Sequence, residues 1–332
     1  MLIITRISSR DTPTGRFRPL AITTVDTADH KSKKLLFIEI GGDSLTALAK
    51  FIVGFWGGSA AMVAEGFHSL TDTANQIFLL IGIEISKKPA DHEHPFGYGK
   101  ERFFWAFLSA LFILLISGGA AIYQGVEKIR NPEPITNFKI SFLVLGIALL
   151  FQSFTLFMSS RYYWGLAGKT NGLRNLLSKM KFVKEPAAIN LWLGDWAAVT
   201  GNILAGVALF FVRATGNMIY DGIASIMIGV ILMMLGLYLI NDTKKLLIGE
   251  AVSPAMYAKI VEIIRSCSEV KGIVKLKTMH LTPNEILINA DIDFKPDLDT
   301  KDIEKAVDRI EHLIKSQIPA AKQISIEVES RK

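Results

Sequence analysis

The chain has 332 residues, 50% of them hydrophobic and 20% charged, with a formal net charge of +6 and a mean hydropathy of +0.34. The charges gather in residues 1–36 and 244–332 and leave long, almost uncharged runs between, which excludes a soluble two-domain enzyme as the starting assumption and points to a membrane protein with a soluble tail. The single cysteine, Cys267, excludes a disulfide framework and a cysteine-built zinc cage; no phosphate-binding or dinucleotide-binding glycine pattern suggests ATP or NAD; and the modest positive charge fits cytoplasmic loops rather than nucleic acid.

Residues 1–37 read as an N-terminal cytoplasmic tail, expected to be disordered. They are rich in Arg, Ser and Thr, with Asp11, Asp26 and Asp29 the acids. Mitochondrial targeting peptides share that composition, but the polar spacing makes no clear amphipathic face. Six apolar runs follow at 38–57, 59–85, 103–126, 140–163, 188–212 and 218–240. Each is near the length of about 20 residues that a helix needs to cross a bilayer. The first is the weakest, because it carries Glu39, Asp43 and Lys50. The first two runs are joined so tightly that they must form a hairpin. Lys and Arg are denser in the tail and in the loops after the second and fourth runs than in those after the third and fifth. That bias places both termini in the cytoplasm.

The last part, 249–332, reads as a small α/β domain. Pro254–Cys267 is helical, and Ile273–Leu281 and Glu285–Phe294 are strands with a turn at Thr282–Asn284. Ile303, Val307, Ile310, Leu313 and Ile314 mark the buried stripe of a helix that ends at Pro319. Gln323–Glu329 is a final strand. The order α-β-β-α-β folds naturally into a two-layer sandwich.

Ionisable residues inside a membrane are expensive, so each one is a functional candidate. The second run holds Glu65, His68 and Asp72, and spacings of three and four place them on one helical face. The fifth run holds Asp195, with Asn202 two turns further along the same face. An imidazole and carboxylates on facing helices suit a zinc-like divalent ion; a buried hydrogen-bond network is the bland alternative. Asp221 opens the sixth run, where an acid is favoured by the helix macrodipole. Glu39, Asp43 and Lys50 either pair with one another or border a water-filled mouth, and the sequence does not separate these. Gln152 reads as a helix–helix hydrogen bond. The loop from Pro89 to Lys100 holds Asp91 and His94 as a possible surface metal site, against the alternative of an ordinary solvated loop.

Together these residues resemble the cation diffusion facilitator family. Gly58-Ser59 followed by Ala64-Glu65-Gly66-Phe67-His68-Ser69-Leu70-Thr71-Asp72 is similar to its second-helix motif. Pro89-Ala90-Asp91 through Phe96-Gly97-Tyr98-Gly99-Lys100 is similar to its next loop. Gly249-Glu250-Ala251 and the tail resemble the branch that contains the mitochondrial zinc transporter. The resemblance implies a bundle of six transmembrane helices (38–248) with a C-terminal ferredoxin-like α/β cytoplasmic domain that mediates homodimerisation. It implies export of divalent cations, mostly zinc, in exchange for protons. It places three transport ligands at His68, Asp72 and Asp195. The fourth position falls on Leu191, which cannot ligate; water, Glu65 or Asn202 would then complete the shell. In the loop Asp91 and His94 fit the family pattern, while Tyr98 stands where some members have a histidine. In the tail, the positions that bind zinc in some members hold only carboxylates: Asp291, Glu327 and Glu329.

The resulting expectation is a proton-coupled exporter in the cell's inner membrane, or in a mitochondrial membrane, with no enzymatic activity and no resident cofactor. The partners are divalent metal ions, the lipid bilayer and a second copy of the chain. Zinc is favoured by the imidazole; manganese, iron and cobalt stay open, because carboxylates suit harder ions. A non-transporting membrane sensor or scaffold is the alternative of another class. Asp291, Asp293, Glu327 and Glu329 share one sheet face, so the tail is expected to carry either a weak metal site or a solvated acidic surface.

Overall fold

The computed structural model describes residues 22–167 and 185–329. No proline or glycine falls between Leu20 and Ile40, and α1 accordingly runs unbroken over Ile22–Gly57. It begins well before the expected end of the tail: residues 22–37, anticipated as disordered, are helical because nothing in them breaks a helix. Gly58 then takes a left-handed turn at φ +70°, and Ser59 caps α2 (Ala60–Ile85) by accepting the Met62 N–H.

The next four helices are α3 (Glu101–Arg130, with a π-helical turn at Ile113–Gly118), α4 (Phe138–Ala167), α5 (Pro186–Thr215) and α6 (Ile219–Ile248). Among the described residues these four are long and apolar enough to cross a membrane. Helices α1 and α2 carry many of the buried polar groups and pack into the same bundle: α1 against α2, α3 against α6, α4 against α5. The seam between α3 and α6 is built on glycine. A side chain on Gly125 would meet the Gly222 carbonyl, and one on Gly118 the Gly229 carbonyl. With no such side chains, the two backbones approach closely, the usual way of holding helices together in lipid. Leu45, Leu150, Phe157 and Met234 are exposed on the outside of the bundle, as a lipid-facing surface requires. This is a helical membrane domain.

The tail contains α7 (Pro254–Arg265), β1 (Val270–Thr282), β2 (Glu285–Phe294), α8 (Thr300–Gln317) and β3 (Ala321–Val328). The sheet order is β1-β2-β3, with β1 and β2 antiparallel and β2 and β3 parallel. Ile286, Ile288, Ala290 and Ile292 on β2 bury one sheet face against Ile260, Ile264, Ile310 and Ile314 of the helices. This is the two-layer α/β domain expected. Strand β1 touches the membrane domain: the space beside Gly99 is filled by Thr282, and Lys100 Nζ donates to Met279 Sδ at 3.7 Å.

Candidate metal centre

Residues of helices α1, α2, α4 and α5 line a small cavity that opens at a mouth. Asp72 from α2 and Asp195 from α5 both line it, so the structure brings these two candidates together across facing helices. Asp195 is oriented from α4, accepting hydrogen bonds from the Thr155 hydroxyl at 2.9 Å and from the Ser159 hydroxyl. His68 lies one turn from Asp72 on the same face of α2, with Nδ1 3.3 Å from Asp72 Oδ2. Its ring is buried, and among the described residues neither nitrogen has a hydrogen-bond partner. The ring is not itself part of the cavity lining. Among the described residues, no three His, Cys, Asp or Glu side chains are drawn close enough together to enclose an ion. Leu191 does line the cavity, so the fourth family position is apolar in space as well as in sequence.

The two residues considered as replacements for that ligand are engaged elsewhere. Glu65 Oε2 pairs with Lys50 Nζ at 2.9 Å, both side chains being fully buried. Asn202 donates its amide to Gln152 Oε1. Neither lines the cavity. The helix hairpin sets Lys50 beside Glu65, and this tertiary pairing holds Glu65 apart from the cavity.

The α1 residues that the sequence left ambiguous now separate. Lys50 belongs to the Glu65 pair and also donates to Ser69 Oγ at 3.1 Å. Glu39 and Asp43 face the cavity with Asp72 and Asp195. Gln76 donates to Asp43 at 2.6 Å and to Glu39 at 3.4 Å. Sequence reasoning gave Gln76, Asn75 and Asn190 no role, yet all three line the cavity. A signal existed for Gln76, which is four residues after Asp72 on the same helical face; Asn190 is uncharged and carried none.

Asp221 also differs from expectation. It sits in the first turn of its own helix, but its hydrogen bonds serve the N-terminus of α2, where it accepts from the Ser59 hydroxyl at 2.7 Å and from the Ala60 and Ala61 N–H groups at 2.6 and 3.2 Å. A carboxylate at a helix N-terminus satisfies donors that have no partner within the helix.

The loop candidates form a small closed turn. Asp91 accepts from the His94 N–H and from the Tyr98 hydroxyl, both at 2.7 Å, and the His94 ring packs on Tyr98. The Tyr98 hydroxyl holds the Asp91 carboxyl below the usual carboxylate range, and the same contact pushes the Tyr98 phenol up. In the tail, Asp291 registers against Glu327 on β3 and against Lys275 on β1. Lys275 and Lys277 share a shallow depression with Asp291 and Glu327, and Lys271 pairs with Asp293 at 3.1 Å. The expected acidic face is therefore a mixed one, because β1 supplies lysines across the register. Glu329 lies beyond β3, its N–H bonded to the Ile292 carbonyl.

A helical membrane domain with carboxylates facing between its helices, joined to a small α/β domain, defines the class of protein. Residues 36–248 match the cation efflux transmembrane domain and residues 252–331 match the cation efflux protein cytoplasmic domain; the chain belongs to the cation efflux family. Metal tolerance protein C4 of Arabidopsis thaliana is 30% identical over 278 residues, 83% of this chain and 60% of that protein. The mitochondrial proton-coupled zinc antiporter SLC30A9 of Homo sapiens is 28% identical over 264 residues, 79% of this chain and 46% of that protein. The manganese efflux system protein MneP of Bacillus subtilis is 22% identical over 303 residues, 90% of this chain and 95% of that protein. The chain thus spans about half the length of the first two relatives.

Proposed function

We propose that the protein exports divalent metal ions in exchange for protons, with the ion held between α2 and α5 by His68, Asp72 and Asp195. The observation that carries this reading is the meeting of Asp72 and Asp195, from two helices, on one cavity inside the bundle. An ion seated on Asp72 has a ring nitrogen of His68 within reach, since Nδ1 is already 3.3 Å from Oδ2 and has no hydrogen bond. Ligation needs the neutral imidazole and the ionised carboxylates, so binding displaces protons and returning protons release the ion. Six helices span the membrane with both termini in the cytoplasm, and alternating access follows from movement of helices around a fixed site. The cytoplasmic domain joins two copies of the chain.

Zinc is the first choice, for the imidazole. Manganese is the second reading, favoured by the number of oxygen donors around the cavity. The test is uptake of zinc, manganese, iron and cobalt into proteoliposomes under an imposed pH gradient. His68→Ala, Asp72→Ala and Asp195→Ala are each expected to abolish uptake while the protein still inserts and folds. Near-normal uptake by one of them removes that residue from the site, and uptake indifferent to the pH gradient removes the proton.

A further inference from the structure

Glu39, Asp43, Asp72 and Asp195 line one cavity, and none of the described residues lining it is a lysine or arginine. The transport reading employs Asp72 and Asp195 and leaves the α1 pair without a role. The pairs are not compensated alike. Asp195 has two hydroxyl donors on α4. Glu39 and Asp43, 1% and 5% exposed, share one donor: the Gln76 amide bridges them at 3.4 and 2.6 Å. Buried carboxylates held so sparingly are costly within a membrane.

A second, independent observation points to a ligand. Asn190 is 1% exposed, lines the same cavity, and among the described residues has no hydrogen-bond partner for either polar atom of its side chain. Glu39 Oε1 and Gln76 Oε1 are likewise unpartnered. Asn190 Oδ1, Glu39 Oε1 and Gln76 Oε1 are acceptor oxygens on residues that line the cavity in which the Gln76 NH₂ now donates to two carboxylates. Turning the Gln76 amide presents its oxygen in place of that NH₂. The set then has two carboxylates and two amide oxygens, with no imidazole or thiolate.

We propose that Glu39 and Asp43, with the amide oxygens of Gln76 and Asn190, form a second, oxygen-only position for a divalent cation, occupied by the ion on its way to Asp72 and Asp195. It rests on the transport reading above and deepens it. The interior has room for about one water-sized body, so the two positions are filled in turn and not together. Oxygen-only donors select harder ions such as manganese. The imidazole at the deeper position selects zinc.

The experiment uses the full chain, purified and reconstituted, with Mn²⁺ and Zn²⁺ as probes. Glu39→Gln with Asp43→Asn keeps size and shape and removes both charges. The expected result is a KM for Mn²⁺ raised roughly tenfold, a smaller rise for Zn²⁺, and a kcat within about twofold of the parent. Bound Mn²⁺ is also counted by electron paramagnetic resonance in Asp195→Asn, which is expected to lose transport; it is retained there and lost when Glu39→Gln and Asp43→Asn are added. An unchanged KM, a kcat loss at unchanged KM, or Mn²⁺ binding indifferent to the α1 pair each overturns the proposal. If the double variant does not fold, Glu39→Gln alone carries the Mn²⁺ titration, and unchanged binding refutes the proposal. Full transport by Asp195→Asn would refute the transport site and leave the α1 position standing; loss of transport in Asp195→Asn with an unchanged KM in the α1 variant would refute this inference alone.

Discussion

Replacing Lys50 by methionine tests how the bundle tolerates charge. Lys50 Nζ is 2.9 Å from Glu65 Oε2, and both side chains are fully buried. Lys50 also donates to Ser69 Oγ, and Gly201 leaves the space that Glu65 occupies, since a side chain there would collide with its Oε1. Lys50→Met leaves Glu65 buried and unpaired. Removing one partner of a buried pair costs about 3–5 kcal/mol, whereas replacing both is often neutral or stabilising. Lys50→Met is therefore expected to lower stability by about that amount, and Lys50→Met with Glu65→Gln to return within about 1 kcal/mol of the parent. The assay is reversible unfolding in detergent micelles for the parent, both single variants and the double variant. Because Glu65 belongs to this pair and not to the cavity, the double variant is expected to keep the metal affinity of the parent. A single variant as stable as the parent, or a double variant as weak as Lys50→Met, would refute the reasoning. A refolded double variant with altered metal preference would return Glu65 to the shell.

Two further expectations concern the parts outside the membrane. The Tyr98 hydroxyl keeps the Asp91 carboxyl below its ordinary range, so the contact is present above the unfolded carboxylate pKa and is lost as pH falls through the lower folded value. Tyr98→Phe is expected to move the titration of Asp91 upward, read from its side-chain carbon shift in labelled protein; an unmoved titration would assign the shift to other contacts. Lys275 stands opposite Asp291 in the β1–β2 register, so Lys275→Glu sets like charges opposite each other and is expected to cost roughly 0.2–1 kcal/mol, measured by thermal unfolding. If zinc raises the melting temperature of the parent and Asp291→Asn with Glu327→Gln abolishes that rise, the mixed face is a metal site after all.

Much of this architecture is legible in the sequence because it depends on local patterns. The alternation of Ile286, Ile288, Ala290 and Ile292 identifies β2 and its buried face, and strand Glu285–Phe294 is found where it was expected. The spacing of His68 and Asp72 places them on one face of α2, where they touch. What the sequence leaves open is decided by tertiary register. Glu39, Asp43 and Lys50 look alike on α1 until the hairpin sets Lys50 against Glu65 and turns the two acids to the cavity. Asp221 reads as an acid favoured by the macrodipole of its own helix, and only the Gly58 turn brings the start of α2 to it. The lysines of β1 join the acidic face through strand pairing, which no single strand reveals. Asn190 escapes notice because an uncharged amide is unremarkable until it is buried without a partner.

The acids of the membrane domain then divide by what compensates them. Asp221 has two backbone donors and a hydroxyl, and Glu65 has an ammonium; each faces a compensating donor supplied by the chain itself. The four that line the cavity share hydroxyls and one amide. A cation there meets mostly oxygen, and His68 is the one histidine in the six apolar runs. Any preference for zinc over manganese consequently depends on a single nitrogen donor, since borderline-soft ions gain from imidazole and harder ions do not. His68→Asp is expected to shift competitive uptake toward manganese while preserving a ligand on α2. Leu191→His, which adds a second imidazole at a residue already facing the cavity, is expected to shift it toward zinc. Equal zinc-to-manganese ratios in the parent and both variants would mean that nitrogen donors do not set selectivity, and that the ion is chosen before it reaches Asp72.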